Sequence, residues 1–142
     1  MLPGATYQDP KFSFEQPIGI TSIQFLAGSA LGPAYDDAVL IGDYVHQQIL
    51  LLRLNENRDG FVLEGSLADG VLDDGDVLAP FATDISVVTD IQVGPDGAVY
   101  VATLRDTVYR IAPVPEPQTW LLSLAGLLLV AGAARIRGKP VH

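Results

Sequence analysis

Between residues 18 and 111 the apolar positions fall in short clusters separated by Gly, Pro, Asp and Asn. That punctuation predicts short β-strands, not helices. Candidate strands cover 20–26, 38–43, 48–54, 61–64, 89–93, 99–103 and 107–111. Alternation is clean where Ile91 and Val93 oppose Asp90 and Gln92. It is lost in Ile49-Leu50-Leu51-Leu52, which predicts a strand covered on both faces. Gly94-Pro95-Asp96-Gly97 supplies the fixed φ of proline and a glycine able to take positive φ, predicting a hairpin between 91–93 and 99–101. Asn55-Glu56-Asn57-Arg58-Asp59-Gly60 predicts a second hairpin joining 48–54 to 61–64. The Asp-rich stretch 69–76 reads as a long surface loop. No window before Trp120 carries a 3.6-residue apolar stripe.

From Trp120 the pattern changes character. Residues 120–134 are apolar apart from Ser123, and Arg135, Arg137 and Lys139 follow. Leu121, Leu122, Leu124, Leu127, Leu128, Leu129 and Val130 give roughly −2 to −4 kcal/mol of insertion free energy. At about 1.5 Å per residue the run reaches ~22 Å, short of the ~30 Å hydrocarbon core. Extension through Ile136, with Arg135 snorkelling and Trp120 anchoring at the interface, brings it near the lower limit for a span. A buried core helix of a small domain would show a polar face, and this run has none, so lipid is the expected solvent. The one-sided cationic cluster places the C-terminus in the cytoplasm and the body on the other side.

Charge separates the same two regions. The chain has 142 residues, 17 acidic and 8 basic. The body up to Val114 holds 16 of the acids and 5 of the bases, a net of −11, while the tail is +2. An acidic body argues against binding nucleic acid or anionic lipid. There is no cysteine, hence neither a disulfide framework nor a thiolate metal site. Residues 1–10 have neither the basic start nor the apolar core of a secretory signal. The chain therefore reads as the C-terminal part of a longer reading frame, or as a degraded gene.

The strand series repeats with a period of roughly seventy residues, stretched by the Asp-rich loop, and four-stranded units of this kind are what β-propeller blades look like in sequence. The expected fold is all-β: a partial β-propeller of about one and a half to two blades plus one C-terminal transmembrane α-helix. Five segments follow: 1–17 extended, 18–112 propeller blades, 113–119 a proline-rich linker, 120–136 the membrane helix and 137–142 a basic cytoplasmic tail. An incomplete propeller should expose the apolar face that its missing blades would cover, and should self-associate.

Two family resemblances add to this. Val114-Pro115-Glu116-Pro117-Gln118-Thr119-Trp120, the Leu-rich run and the Arg cluster resemble the PEP-CTERM sorting domain of exopolysaccharide-producing Gram-negative bacteria. That resemblance implies recognition at Pro115, Glu116 and Pro117 by an exosortase, a membrane-embedded cysteine transpeptidase. It also implies passage from the inner membrane, with a periplasmic body, to the outer surface. Residues 7–17, Leu31-Gly32-Pro33-Ala34-Tyr35, Ile41-Gly42-Asp43-Tyr44, Leu54-Asn55-Glu56-Asn57-Arg58 and Thr89-Asp90-Ile91 with Gly94-Pro95-Asp96-Gly97 resemble the last blades of the glucose/sorbosone dehydrogenase family. Many of those propellers oxidise aldoses with pyrroloquinoline quinone (PQQ) and calcium.

The resemblance also implies a Lys and an Arg pair that hold the anionic quinone. Here the Lys position falls near Val45, beside His46, and the Arg pair falls within Val87 to Thr89, all neutral. A polycarboxylate needs charge-assisted donors, and no Arg or Lys lies between Arg58 and Arg105. No catalytic residue and no cofactor is therefore expected. His46 stands as a cofactor or sugar contact, or as an ordinary strand-end residue. Asn55, Asn57 and Asp59 resemble the start of a calcium loop, but its twelfth position is Ser66 and the tight hairpin is preferred. Asp69, Asp73, Asp74 and Asp76 stand as an inter-blade calcium clamp or as a solvated loop. The sequence thus leaves three function classes open. These are a sorted surface module without catalysis of its own, a PQQ-dependent aldose or sorbosone dehydrogenase subunit or truncated enzyme needing further blades, and a calcium- or polysaccharide-binding surface module.

Overall fold

The computed structural model describes Gly4 and residues 6–114. The sorting motif, the apolar run and the basic cluster lie outside the described residues. Among the described residues no helix is long and apolar enough to cross a membrane.

Among the described residues nine strands follow in order: β1 Ser13–Phe14, β2 Ile20–Phe25, β3 Ala38–Asp43, β4 Gln48–Arg53, β5 Val71–Leu72, β6 Pro80–Ala82, β7 Val88–Val93, β8 Val99–Thr103 and β9 Val108–Ile111. They form one four-stranded sheet ordered β2-β3-β4-β6, one three-stranded sheet ordered β7-β8-β9, and a small parallel pair β1-β5. Both larger sheets are antiparallel and open. All-β architecture with two stacked sheets is thus what the residues build.

The stack is held by one face of each sheet. Leu26, Ala38, Leu40 and Ile49 meet Val88, Ile91, Val99 and Val101, all fully buried. The sheets come close at Gly42, where a Cβ would stand 2.9 Å from Val88 Cγ1 of the facing sheet, and 2.6 Å from Ser22 Oγ of its own. Only a residue without a side chain lets β7 lie across β2 and β3.

The other face of the four-stranded sheet carries Val39, Ile41, Leu50 and Leu52. The chain covers much of it with its own Phe12, Phe14, Phe61, Leu63 and Leu78. Phe12 meets Phe14 and Phe61 edge to face, at centroid distances of 5.1 and 6.4 Å. This is why 49–52 are apolar without alternation: Ile49, Leu50 and Leu52 are buried, with Leu51 half-buried.

The far face of the three-stranded sheet is polar instead. Asp90, Gln92 and Arg110 are exposed there beside Tyr100 and Ala102. The expected exposed apolar blade face is therefore present in part, since Ile20, Ile23 and Phe25 of β2 stay half-exposed beside the covered residues. The chain's own residues cover the β3 and β4 part of that face, and the far face of the three-stranded sheet is solvated.

Two further expectations change. Residues 61–64 form no strand: Phe61 makes a single bridge to Leu54, and the Val62 amide donates to the Arg53 carbonyl. Leu63 then turns into the core beside Phe61, and Gly65–Asp69 winds into a 3₁₀ turn. The outer strand beside Ile49 and Leu50 is β6. Inside the Asp-rich stretch, Val71 and Leu72 pair with Ser13 and Phe14. β6 begins with Pro80, and an edge strand is where proline is tolerated.

Candidate functional site

The β3–β4 hairpin holds the most organised polar cluster among the described residues. Asp43 ends an otherwise apolar strand, and its side chain is completely buried. Its carboxylate is saturated. Oδ1 accepts from the amides of Val45 at 2.9 Å and His46 at 3.1 Å. Oδ2 accepts from His46 Nδ1 at 2.7 Å and Gln48 Nε2 at 2.9 Å. Gln47 takes a φ of 53° to bring the chain back into β4.

Because an ionised carboxylate only accepts, the His46 ring is oriented with Nδ1 towards Asp43 and Nε2 pointing away from it. The His46 side chain is 54% exposed. It lines a cavity of about 220 Å³ with Phe14, Gln16, Ile18, Leu72 and Asp73 to Asp76. An oriented imidazole thus faces the acidic loop across a small half-apolar hollow.

That loop has its own order. The Asp73 amide donates to Asp76 Oδ2 at 3.1 Å. The Asp73 carboxyl is raised above the ordinary carboxylate range by its hydrogen bond to Asp76 and then by the Asp76 charge. Asp76 is held below that range, first by the Ser66 hydroxyl and then by the Asp73 amide. Asp73 is exposed and Asp76 half-exposed, so solvent screens both and these are local preferences, not large energies.

The remaining sequence candidates are placed as follows. Asn55 and Asp59 face each other: Asn55 Nδ2 donates to Asp59 Oδ1 at 2.8 Å, and the Asp59 amide donates to Asn55 Oδ1 at 3.1 Å. Arg58 pairs with Asp37, while Asn57 is exposed. These oxygens serve a tight turn closed by the single Leu54–Phe61 bridge, with the Arg58 guanidinium alongside. Asp69 Oδ1 accepts from the Val71 amide. Among the described residues no group of three or more His, Cys, Asp or Glu stands together as a metal site.

PQQ can be tested against the side chains that would hold it. Val45 is exposed at the hairpin tip, Val88 is fully buried between the sheets, and the flanking Val87 and Thr89 are neutral. His46 faces carboxylates, which repel an anionic quinone. These residues do not fit the group, and no step is derived through it.

Two features were not anticipated. A more open hollow of about 560 Å³ lies at the sheet rim between Tyr35, Leu51, Arg53, Leu63, Leu67 and Phe81. On the other sheet, Arg110 Nη2 meets Asp96 Oδ2 at 2.8 Å, and the Tyr100 hydroxyl donates to the same oxygen at 3.1 Å. Arg110 holds the Asp96 carboxyl below its ordinary range. The signal for Asp43 was present in outline: an Asp closing an apolar strand, with His and Gln three and five positions on, is a side-chain-to-backbone turn pattern.

No protein-family model matches the chain, and no curated protein matches it. A solved structure described as a glucose dehydrogenase is similar over 70% of this chain and 29% of that one, at 20% identity and a TM-score of 0.49. The chain spans under a third of that protein's length. A likeness of this grade adds no argument about activity, and the all-β architecture stands on the strand pairing itself.

Proposed function

We propose that the chain is a surface-sorted, membrane-tethered all-β module without catalysis of its own. One observation carries the reading: Pro115-Glu116-Pro117, a Leu-rich run and Arg135, Arg137 and Lys139 follow one another at the end of an acidic body. An exosortase is the partner this order fits, with the body held outside the inner membrane until the tail is removed. The positions that would bind a quinone carry no cation, which supports a module over an enzyme.

The test is co-expression of the full chain, behind an added export signal, with and without an exosortase in a Gram-negative host. The reading expects a mass loss corresponding to removal of the residues after the Pro-Glu-Pro motif, only when the exosortase is present. It also expects that loss to vanish in Glu116→Ala. Equal processing without the enzyme would overturn it.

The hollow at His46 favours a second reading, a surface module that contacts a polyhydroxylated ligand. Carboxylates of Asp73, Asp74 and Asp76 accept hydroxyl protons, His46 Nε2 adds a polar ring nitrogen, and Phe14 offers an apolar wall. Retention of the full chain on immobilised polysaccharide, lost in His46→Ala, would support it. Equal retention of the two would exclude this site.

A further inference from the structure

The two sheets correspond position by position. β2 reads Ile-Thr-Ser-Ile-Gln-Phe and β7 reads Val-Thr-Asp-Ile-Gln-Val. Each breaks register at the same place, between Ile20 and Ser22 in one and between Val88 and Asp90 in the other. The cross-strand row Ile23, Ile41, Leu50 corresponds to Ile91, Val101, Tyr109. Val88 and Ile91 are completely buried because they lie on the preceding sheet. Their counterparts Ile20 and Ile23 are 57% and 55% exposed, and Phe25, the counterpart of Val93, is 50% exposed. The positions that make the stack are repeated in β2 with apolar side chains of equal or greater bulk, and there they form a half-exposed strip.

We infer that this strip is a self-association surface, on which a second copy of the chain packs its own Ile20, Ile23 and Phe25 about a two-fold axis. The occupant follows from what else the molecule offers. The face of the three-stranded sheet that matches the acceptor of β7 carries Asp90, Gln92, Tyr100 and Arg110. Pressing the strip there would bury charges without partners. The strip itself is apolar and uncharged in a body of net −11, so two copies can approach there without bringing carboxylates together. A two-fold contact is self-complementary by construction. Its half-exposed side chains amount to on the order of 400 Å² per copy, about half of what a standard interface buries on each side. The dimer is accordingly weak and concentration-dependent. The inference does not rest on the sorting reading.

The chain has no cysteine, so Ile23→Cys introduces one thiol. The full chain in non-ionic detergent, with micelles in excess over protein, is treated with a short bis-maleimide across a concentration series. I23C is expected to give a cross-linked dimer that grows with protein concentration, while Gln92→Cys on the far face of the other sheet gives at least tenfold less. Adding Phe25→Asp to I23C is expected to suppress the dimer at least tenfold with an unchanged melting curve. Ile20→Asp is read the same way if F25D melts early. Three results would overturn the inference: equal cross-linking of I23C and Q92C, a dimer formed only when I23C and Q92C are mixed, or a dimer that survives both charge substitutions.

Discussion

Replacing Asp43 tests the most organised polar cluster in the fold. The carboxylate takes four hydrogen bonds while completely buried, two from backbone amides of the β3–β4 turn and two from His46 and Gln48. Hydrogen bonds to a charged acceptor contribute about 1.5–3 kcal/mol each, and they are not additive within one cluster. Asp43→Asn keeps the carbonyl oxygen for the two amides but sets an NH₂ group against two donors. His46 can change tautomer and Gln48 can turn over, so the expected loss is about 1.5–3 kcal/mol. Asp43→Ala leaves all four donors without their acceptor. Water can reach the exposed side of the turn, and the expected loss is about 3–5 kcal/mol. His46→Ala removes a single donor from a half-exposed position and should cost about 1 kcal/mol.

The assay is urea denaturation of the full chain in mild detergent, followed by circular dichroism. With a slope of about 1–3 kcal/mol per molar urea, Asp43→Ala should lower the midpoint by more than about 1 M and Asp43→Asn by roughly half as much. The order Ala, Asn, His46→Ala is the diagnostic. If Asp43→Ala melted within about 0.2 M of the parent, the carboxylate would not be organising the hairpin, and the orientation assigned to His46 would fall with it.

Two other outcomes follow from the same geometry. Gly42→Ala places a methyl group against Val88 Cγ1 and Ser22 Oγ, and should cost about 1–3 kcal/mol by urea melting. Adding Val88→Ala should make the second change cheaper than it is alone, whereas strict additivity would refute the close approach of the sheets. Arg110 depresses the Asp96 carboxyl, so its stabilisation is present above the unfolded-state value and is lost as pH falls through the lower folded value. Arg110→Gln should therefore move the Asp96 titration upward by NMR, and should lower stability at neutral pH but not in strong acid.

Most of the strand content was legible because it rests on local chemistry. β3 and β8 were bounded correctly from apolar runs ending in polar residues. The Gly94 to Gly97 turn forms as read, with the Gly94 amide bonding the Ala98 carbonyl and Gly97 at a φ of 76°. What escaped depends on distant partners. β1 and β5 are two residues each and exist only because they pair with one another. β6 holds a proline and is a strand only by virtue of lying at the edge of β4. The capping of one sheet face by Phe12 and Phe14 could not be inferred from composition, since an N-terminal aromatic pair does not announce which surface it covers. Asp43 closes an apolar strand as a turn-forming residue can, but its complete burial is a tertiary fact.

The central claim concerns the residues that follow the sheets, and membrane partition tests it most directly. The full chain and a version ending at Val114 would each be expressed behind an added export signal, and membranes washed in alkaline carbonate. The account predicts that the full chain stays with the lipid pellet and that the shortened chain is released. Release of the full chain into the wash, to the same extent as the shortened one, would contradict it.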